Sequence, residues 1–288
     1  MVKKWLPVLL LTVVALLSAG CEKTLLEESA SESASKGNVV LRLSAYEQMD
    51  FSTRGVQDIA LLCRRVNVAF FQNGTKVLAV SQSAGDGAFG TVSATLPEGT
   101  CQVVVMAHNS DGSATISSEQ KVTFPSNQVS DTFYYYGSVE VGGSQRVYDL
   151  VLRRAVSMFR LDVVNALPAT AAKIRFYYTG GSSTFSPSAG YGCVNSRQTV
   201  MMPVEAGQTV FDVYTFPHEE SDVLKMLVTV YTAEDNILKE QTFEEVPVTR
   251  NRITKYTGDF FSSSASMSGT QFRLSGNGDW DGTDAYSF

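Results

Sequence analysis

Alternation of apolar and polar residues dominates the chain after residue 37. Val39, Leu41, Leu43 and Ala45 alternate with residues such as Arg42. A two-residue period places successive side chains on opposite faces of a strand, so this segment is predicted to be a half-buried β-strand. Further strand-like runs follow at short intervals, at residues 66–71, 77–80, 101–108, 121–124, 138–141 and 146–153.

A second series of such runs begins at Ala155 and occupies residues 159–163, 174–178, 210–214, 223–231, 237–243 and 252–256. Turn-forming residues separate the runs, and Asn73-Gly74 in particular predicts a two-residue hairpin. The pattern therefore predicts an all-β protein of two tandem antiparallel β-sandwich domains. We place the first domain at residues 38–153 and the second at residues 154–288.

The N-terminus has the pattern of an exported lipoprotein. Lys3 and Lys4 precede an apolar run of about 14 residues, and a membrane-spanning helix needs roughly 20. The run ends in Leu-Ser-Ala-Gly-Cys, so residues 1–20 are predicted to be a signal peptide and Cys21 the site of lipid attachment. The Ser/Glu-rich residues 21–37 are predicted to form a flexible tether, which places the remaining chain outside the cytoplasm.

Charge and composition narrow the range of partners. Two of the 23 basic residues precede Cys21, and the remaining 21 stand against 29 acidic residues, which gives the mature chain a net charge near −8. An acidic chain repels phosphate backbones, so we expect no nucleic-acid partner. Cys63, Cys101 and Cys193 are too widely spaced for a zinc cluster; Cys63 and Cys101 form a disulfide or remain buried thiols.

No catalytic constellation is recognisable. The chain has two histidines, His108 and His218, and no Gly-x-Ser-x-Gly sequence surrounds a serine. The acidic tail around Asp279–Asp284 lacks the terminal bidentate glutamate of a calcium loop. We therefore expect a protein that is not an enzyme and has no metal or cofactor.

Aromatic residues are the candidates for ligand or subunit contacts. Alternation places Tyr134 and Tyr136 on one face of a strand and Tyr135 on the other. Tyr177 lies in a second aromatic strand, and Trp280 lies in a Gly/Asp-rich tail with little apolar sequence nearby. We expect Trp280 to be exposed. Tyr134, Tyr136, Tyr177 and Trp280 are thus candidate contacts for a glycan or a protein, although aromatic residues in strands also fill cores.

The ordered set of motifs resembles the fimbrillin superfamily of Bacteroidota, and most closely its fimbrial anchor and tip lipoproteins. One motif is the lipobox, the Leu-Ser-Ala-Gly-Cys sequence that ends at Cys21. The others are Thr53-Arg54, Leu96-Pro97-x-Gly99, Ser130-Asp131-Thr132-Phe133-Tyr134-Tyr135, Leu152-x-Arg154-Ala155-Val156, Phe176-Tyr177-Tyr178-Thr179-Gly180-Gly181-Ser182 and Arg250-Asn251-Arg252-Ile253-Thr254. The resemblance implies two transthyretin-like sandwiches in tandem and assembly with other fimbrial subunits by strand addition.

The resemblance also implies a role. Stalk pilins of this superfamily lose their first strand to an Arg-specific protease, and Arg54, followed by Gly55 in an expected loop, is the matching position. Anchors keep the lipid and the first strand. We expect a lipid-tethered fimbrial anchor or accessory subunit at the outer membrane that supports adhesion. The alternatives are a protease-matured stalk or tip pilin and a surface lipoprotein that binds a glycan or a host protein.

Overall fold

A computed structural model describes residues 37–49, 53–261, 272–274 and 280–288 of the chain. The predicted signal peptide, Cys21 and the predicted tether as far as residue 36 lie outside these residues. The described chain is almost entirely β-structure, which confirms the predicted fold class. Its only described helices are single 3-10 turns at Ile59–Leu61 and Pro125–Asn127.

Ten strands form in the first half of the chain. They are β1 (Val39–Met49), β2 (Thr53–Asp58), β3 (Arg65–Gln72), β4 (Thr75–Ser83), β5 (Thr91–Ala94), β6 (Gly99–His108), β7 (Thr115–Ser118), β8 (Lys121–Thr123), β9 (Thr132–Val141) and β10 (Arg146–Arg154).

Eleven further strands are described in the second half. They are β11 (Ser157–Val163), β12 (Lys173–Thr179), β13 (Thr184–Ser186), β14 (Tyr191–Gly192), β15 (Gln198–Pro203), β16 (Val210–Thr215), β17 (Ser221–Tyr231), β18 (Ile237–Thr249), β19 (Ile253–Gly258), β20 (Phe272–Leu274) and β21 (Thr283–Ser287).

Eight of the ten strands of the first half form one sheet that closes over its own core. The strand order is β2-β1-β10-β9-β6-β3-β4, and β5 also pairs with β1. Leu41 of β1 and Val68 of β3 belong to the same buried cluster, so the two ends of the sheet face each other. Between them β9 and β10 splay apart, because they pair only at Arg153 with Tyr134 and at Arg154 with Phe133.

The second half is a sandwich of two separate sheets. Their orders are β16-β11-β19-β21-β20 and β15-β12-β17-β18. The core between them is aromatic: Phe159 lies within 6.2 Å of Phe176 and 5.6 Å of Tyr256, measured between ring centroids. Such ring pairs add to the free energy gained from burial alone.

The two halves repeat one arrangement. The order β4-β3-β6-β9 in the first half corresponds to β15-β12-β17-β18 in the second. In each half the first and last long strands are parallel neighbours, β1 with β10 and β11 with β19. The sandwiches are therefore not purely antiparallel as predicted, because the closing strand of each half returns beside its opening strand after a long crossover.

A small sheet joins the halves. Its order is β14-β13-β8-β7, and the pairing of Phe185 with Val122 and of Thr184 with Thr123 links strands from the two halves. A third buried cluster lies beneath it, which includes Met106 from β6 and Phe216 from the second half. Residues 36–288 consequently form one compact unit, and the domain division at 153/154 stays a prediction.

Local sequence explains the hairpin of β3 and β4. Asn73 and Gly74 adopt φ values of 51° and 74° between β3 and β4. Two consecutive residues with positive φ make the turn type that matches the twist of paired strands, as the Asn-Gly sequence predicts.

Cys63 and Cys101 are buried free thiols, so the alternative of a disulfide between them is wrong. Burial raises the pKa of both thiols.

A buried arginine holds the junction between the halves. The Arg154 guanidinium donates to both carboxylate oxygens of Asp131, from Nε at 2.8 Å and from Nη2 at 3.0 Å. Its Nη1 donates to Oδ1 of Asn251 at 3.2 Å. The Phe133 and Trp280 rings contact the guanidinium at 4.4 and 4.2 Å from their centroids. We call these five residues the Arg154 clamp; it ties β10 of the first half to the second half.

Removal of the Arg154 guanidinium should be costly. Arg154→Met keeps much of the side-chain volume but leaves the Asp131 carboxylate and Asn251 amide without this partner. We expect the free energy of unfolding to fall by about 3–5 kcal/mol, measured by chemical denaturation of the purified protein. Arg153→Met, at the exposed neighbouring position, should change it by no more than about 0.5 kcal/mol. Equal effects of the two substitutions would contradict the clamp.

His108 is a buried neutral side chain at the end of β6. Its Nε2 contacts Oδ1 of Asn67 at 2.9 Å, and its Nδ1 accepts from the Ser110 N–H at 3.2 Å. These contacts assign the proton to Nε2, which then donates to Asn67. Burial, assisted by the positive charge of Arg65, lowers the pKa of His108 to about 4.

This shift predicts acid sensitivity. An unfolded histidine has a pKa of about 6.5, so between pH 6.5 and 4 the unfolded state binds more protons and the free energy of unfolding falls as the pH falls. Between pH 7 and pH 5 the free energy of unfolding should fall by about 2 kcal/mol more in the native protein than in His108→Gln. The glutamine side chain does not titrate in this range. Denaturant titrations at both pH values measure this, and identical losses would refute the assignment.

Candidate functional site

The candidate processing site lies in a strand. Arg54 pairs with Gln48 and Gly55 pairs with Glu47, in the hairpin formed by β1 and β2. The expected loop at Arg54 is therefore wrong. Polar residues in β2 gave no alternating apolar signal, and the pairing depends on the neighbouring β1 backbone.

Strand β1 is fully incorporated in the first sandwich. Val39, Leu41 and Leu43 are buried in its core, as the alternation predicts. On one edge β1 pairs in parallel with β10 over residues 39–45. On the other edge it pairs with β5 and then with β2. Loss of this strand would open a groove along the core.

Tyr134–Tyr136 divide between two cores as predicted. Tyr134 and Tyr136 pack in the cluster beneath the joining sheet, and Tyr135 packs against the first sandwich. The Tyr134 ring meets the Phe185 ring edge-on at 4.8 Å, and its hydroxyl accepts from Arg250. Tyr134 therefore contributes mainly to the joint between the halves.

Tyr136 is half-buried and more accessible. Its hydroxyl donates to the Glu119 carboxylate at 2.6 Å. This hydrogen bond, together with burial, raises the pKa of Tyr136 to about 12. The phenol is therefore protonated at neutral pH and is held as a hydrogen-bonding group at the surface.

A cleft of about 330 Å³ opens where β9 and β10 separate. One wall is formed by Tyr134–Tyr136, Val151 and Arg153, and the other by residues 187–190 of the second half. Gly190 allows this approach: it has a φ of 80°, and a Cβ there would lie 2.6 Å from the Tyr134 hydroxyl. Phenol, guanidinium and main-chain groups suit the cleft for a hydrogen-bonding ligand or an extended peptide.

The remaining aromatic candidates are not part of this cleft. Tyr177 is half-buried on β12, where it pairs with Thr199 and Leu227. The expected exposure of Trp280 is wrong, because only 9% of the residue is accessible. It stacks on Arg154 and lies parallel to Tyr214, with ring centroids 6.3 Å apart. The tail turns back on β19, so its apolar neighbours are distant in sequence.

Sequence reasoning missed the second wall of the cleft. Pro187, Ser188 and Gly190 lie in a loop about 50 residues beyond the tyrosines, and Glu119 precedes β8. Their proximity follows from the pairing of β8 with β13, which no local pattern indicates. Gly190 adopts a positive φ in the structure, but its place in the sequence did not indicate that it faces Tyr134.

The described residues were compared with the requirements of a metal site and of a membrane-spanning helix. That part of the chain contains no group of three or more His, Cys, Asp or Glu side chains placed to hold a metal ion. Within residues 37–49, 53–261, 272–274 and 280–288, we find no helix of membrane-spanning length and hydropathy.

Comparison with solved structures gives likenesses with TM-scores below 0.5 to proteins described as adhesins and fimbrial proteins. A candidate adhesin from Bacteroides ovatus is 16% identical with a TM-score of 0.45, over 72% of this chain and 81% of the other. The fimbrial anchor protein Mfa2 from Porphyromonas gingivalis gives 13% and 0.40, over 70% and 80%. A fimbrial assembly protein from Parabacteroides distasonis gives 12% and 0.43, over 79% and 92%.

These scores assign no function to the chain, and no curated protein matches it. One family model does match, that of a family of unknown function called DUF6562, over residues 32–284. Since the match spans most of the 288 residues, the chain belongs to the DUF6562 family.

Proposed function

We propose that the protein is a non-enzymatic accessory subunit of a surface fimbrium, most closely an anchor. It is held on the outer membrane by lipid at Cys21 and joined to other subunits by β-strand addition. The three solved structures described above have TM-scores below 0.5, so the proposal rests on the chain's own features.

Strand β1 is the observation that carries the proposal. Its alternating apolar residues fill the first core, and both of its edges are paired. A subunit with an occupied core needs no strand from a neighbour to complete its fold. A subunit that needs no strand from a neighbour can occupy the end of a polymer, which is the position of an anchor.

The lipobox supports the membrane end of the proposal. Cys21 follows Leu-Ser-Ala-Gly at the end of an apolar run too short to span a bilayer. Lipid chains on this cysteine hold a protein durably because each buried CH₂ contributes about 0.8 kcal/mol. The polar residues that follow provide length between the lipid and β1.

The pilin alternative requires cleavage after Arg54. Cleavage there would remove β1 and leave the core residues that contact Leu41 facing a groove. The Arg54 backbone is paired with β1, so a protease would have to open this hairpin first. The pairing of the Arg54 backbone therefore favours the anchor.

The glycan-binding alternative has one supporting observation, the cleft beside Tyr136. Its polar lining and partly accessible phenols are groups that also bind sugars. Tyr134 is committed to the joint between the halves and Trp280 is buried, so the aromatic platform is small. We therefore rank this alternative below the anchor.

Cys21→Ser tests the anchor in cells. The substitution precedes every described strand, so we expect the folded part to be unchanged while the protein moves from the membrane to the soluble fraction. Fimbriae should then detach into the medium. Fractionation and imaging of the fimbriae measure both effects.

Cys193→Ser is the matched control, because Cys193 is an exposed free thiol. It should leave membrane attachment and fimbriae unchanged. A Cys21→Ser protein that stays in the membrane fraction would refute lipid attachment. Release of the protein without any loss of fimbriae would refute the anchor role.

A further inference from the structure

The repeat relating the two halves gives a direct comparison of their closing strands. Tyr148 of β10 lies opposite Leu41 of β1, as Tyr256 of β19 lies opposite Leu161 of β11. Both phenols reach the main chain of the preceding strand: Tyr148 donates to the Glu140 carbonyl at 2.6 Å, and Tyr256 to the Glu245 carbonyl at 3.4 Å. Tyr148 and Tyr256 are therefore equivalent positions.

In the second half, the outer edge of β19 is occupied. Strand β21 runs parallel to β19 over five pairs, from Ile253 with Thr283 to Thr257 with Ser287. Tyr286 stacks on Tyr256 with ring centroids 4.8 Å apart and 20° between the planes. The chain's own C-terminal strand thus covers this edge and its tyrosine.

In the first half the equivalent edge of β10 is open. The Arg146 N–H donates to the Asn38 carbonyl on the β1 side. Main-chain groups alternate between edges, so those of Val147, Asp149 and Val151 point away from β1. Strand β9 meets β10 only at residues 153 and 154, and no other described strand pairs with residues 147–151.

Within the described part of the chain, no strand covers the side chains at this edge as β21 covers β19. Val147 is 46% accessible and Tyr148 is half-buried. The edge ends in the cleft bounded by Val151, Arg153 and Tyr135. Exposed strand edges with unpaired main-chain groups bind other strands, and proteins usually protect them.

We propose that residues 147–151 of β10 form an acceptor edge for an extended segment of a neighbouring subunit. The segment runs parallel to β10 and places an aromatic side chain on Tyr148, as Tyr286 lies on Tyr256. This edge is opposite the one that β1 occupies, so it accepts a strand while β1 stays in place. The identity of the neighbour as a fimbrial subunit rests on the proposed function; the edge and its aromatic requirement do not.

The segment that covers β19 supplies a probe. A fluorescein-labelled peptide with the sequence of residues 282–288, Gly-Thr-Asp-Ala-Tyr-Ser-Phe, should bind the purified full chain saturably in fluorescence anisotropy. In the protein the Phe288 N–H donates to the Thr257 carbonyl, so the Tyr286 amide also faces the acceptor strand and the Ala285 amide faces away. N-methylation at Tyr286 should weaken binding about tenfold or more, and N-methylation at Ala285 should not.

Protein variants locate the binding edge. Val147→Pro removes an N–H that points to the open edge and should weaken peptide binding about tenfold or more. Val210→Pro is the matched control, since Val210 is an exposed valine on the edge strand β16. Tyr148→Leu gives a second test because it removes the stacking ring and keeps an apolar side chain.

Two results would overturn the acceptor edge. One is absence of saturable binding by the unmodified peptide. The other is unchanged binding by Val147→Pro and Tyr148→Leu, which would mean that the peptide replaces β21 on β19. Neither result affects membrane attachment or retention of fimbriae in the Cys21 experiment, so failure of this inference and failure of the proposed function are distinguishable.

Discussion

The buried guanidinium of Arg154 is the interaction on which the arrangement of the two halves depends. A charge that is removed from water must be matched by close partners, and here Asp131, Asn251 and two aromatic rings provide them. Asp131 and Phe133 belong to the first half, and Asn251 and Trp280 to the second. The four groups contact Arg154 together only when the two halves have this relative arrangement. The clamp therefore fixes the joining sheet and the buried cluster beneath it.

The joining sheet and the pairing beside Arg154 also determine the two candidate contact surfaces, the cleft and the outer edge of β10. Because β8 pairs with β13, the 187–190 loop lies against Tyr134 and forms the second wall of the cleft. Strands β9 and β10 pair only at Arg153 and Arg154, and no other described strand pairs with the outer edge of β10 over residues 147–151. In the proposed anchor, which would keep β1 and carry lipid at Cys21, the membrane and a neighbouring subunit would therefore bind at separate places.

Sequence alone predicted the features that depend on local pattern. Alternation at Val39, Leu41 and Leu43 located a buried strand, and Asn73-Gly74 located a hairpin. Features set by distant partners were not predictable in this way. The parallel pairing of opening and closing strands, the burial of Trp280 and the strand at Arg54 all depend on backbone far away in the sequence. The motifs around Asp131, Arg154 and Asn251 were visible as separate signals, but their contact required the fold.

Mass spectrometry of the protein recovered from cell membranes tests the central claim most directly. An anchor that keeps β1 should begin at an acylated Cys21 and contain an unbroken peptide bond between Arg54 and Gly55. The intact mass should therefore include the lipid and the first strand, and digestion with a protease that does not cut after arginine should give a peptide that spans Arg54 and Gly55. A recovered protein that begins at Gly55 would contradict the account, because it would have lost both the lipid and β1, as a matured pilin does.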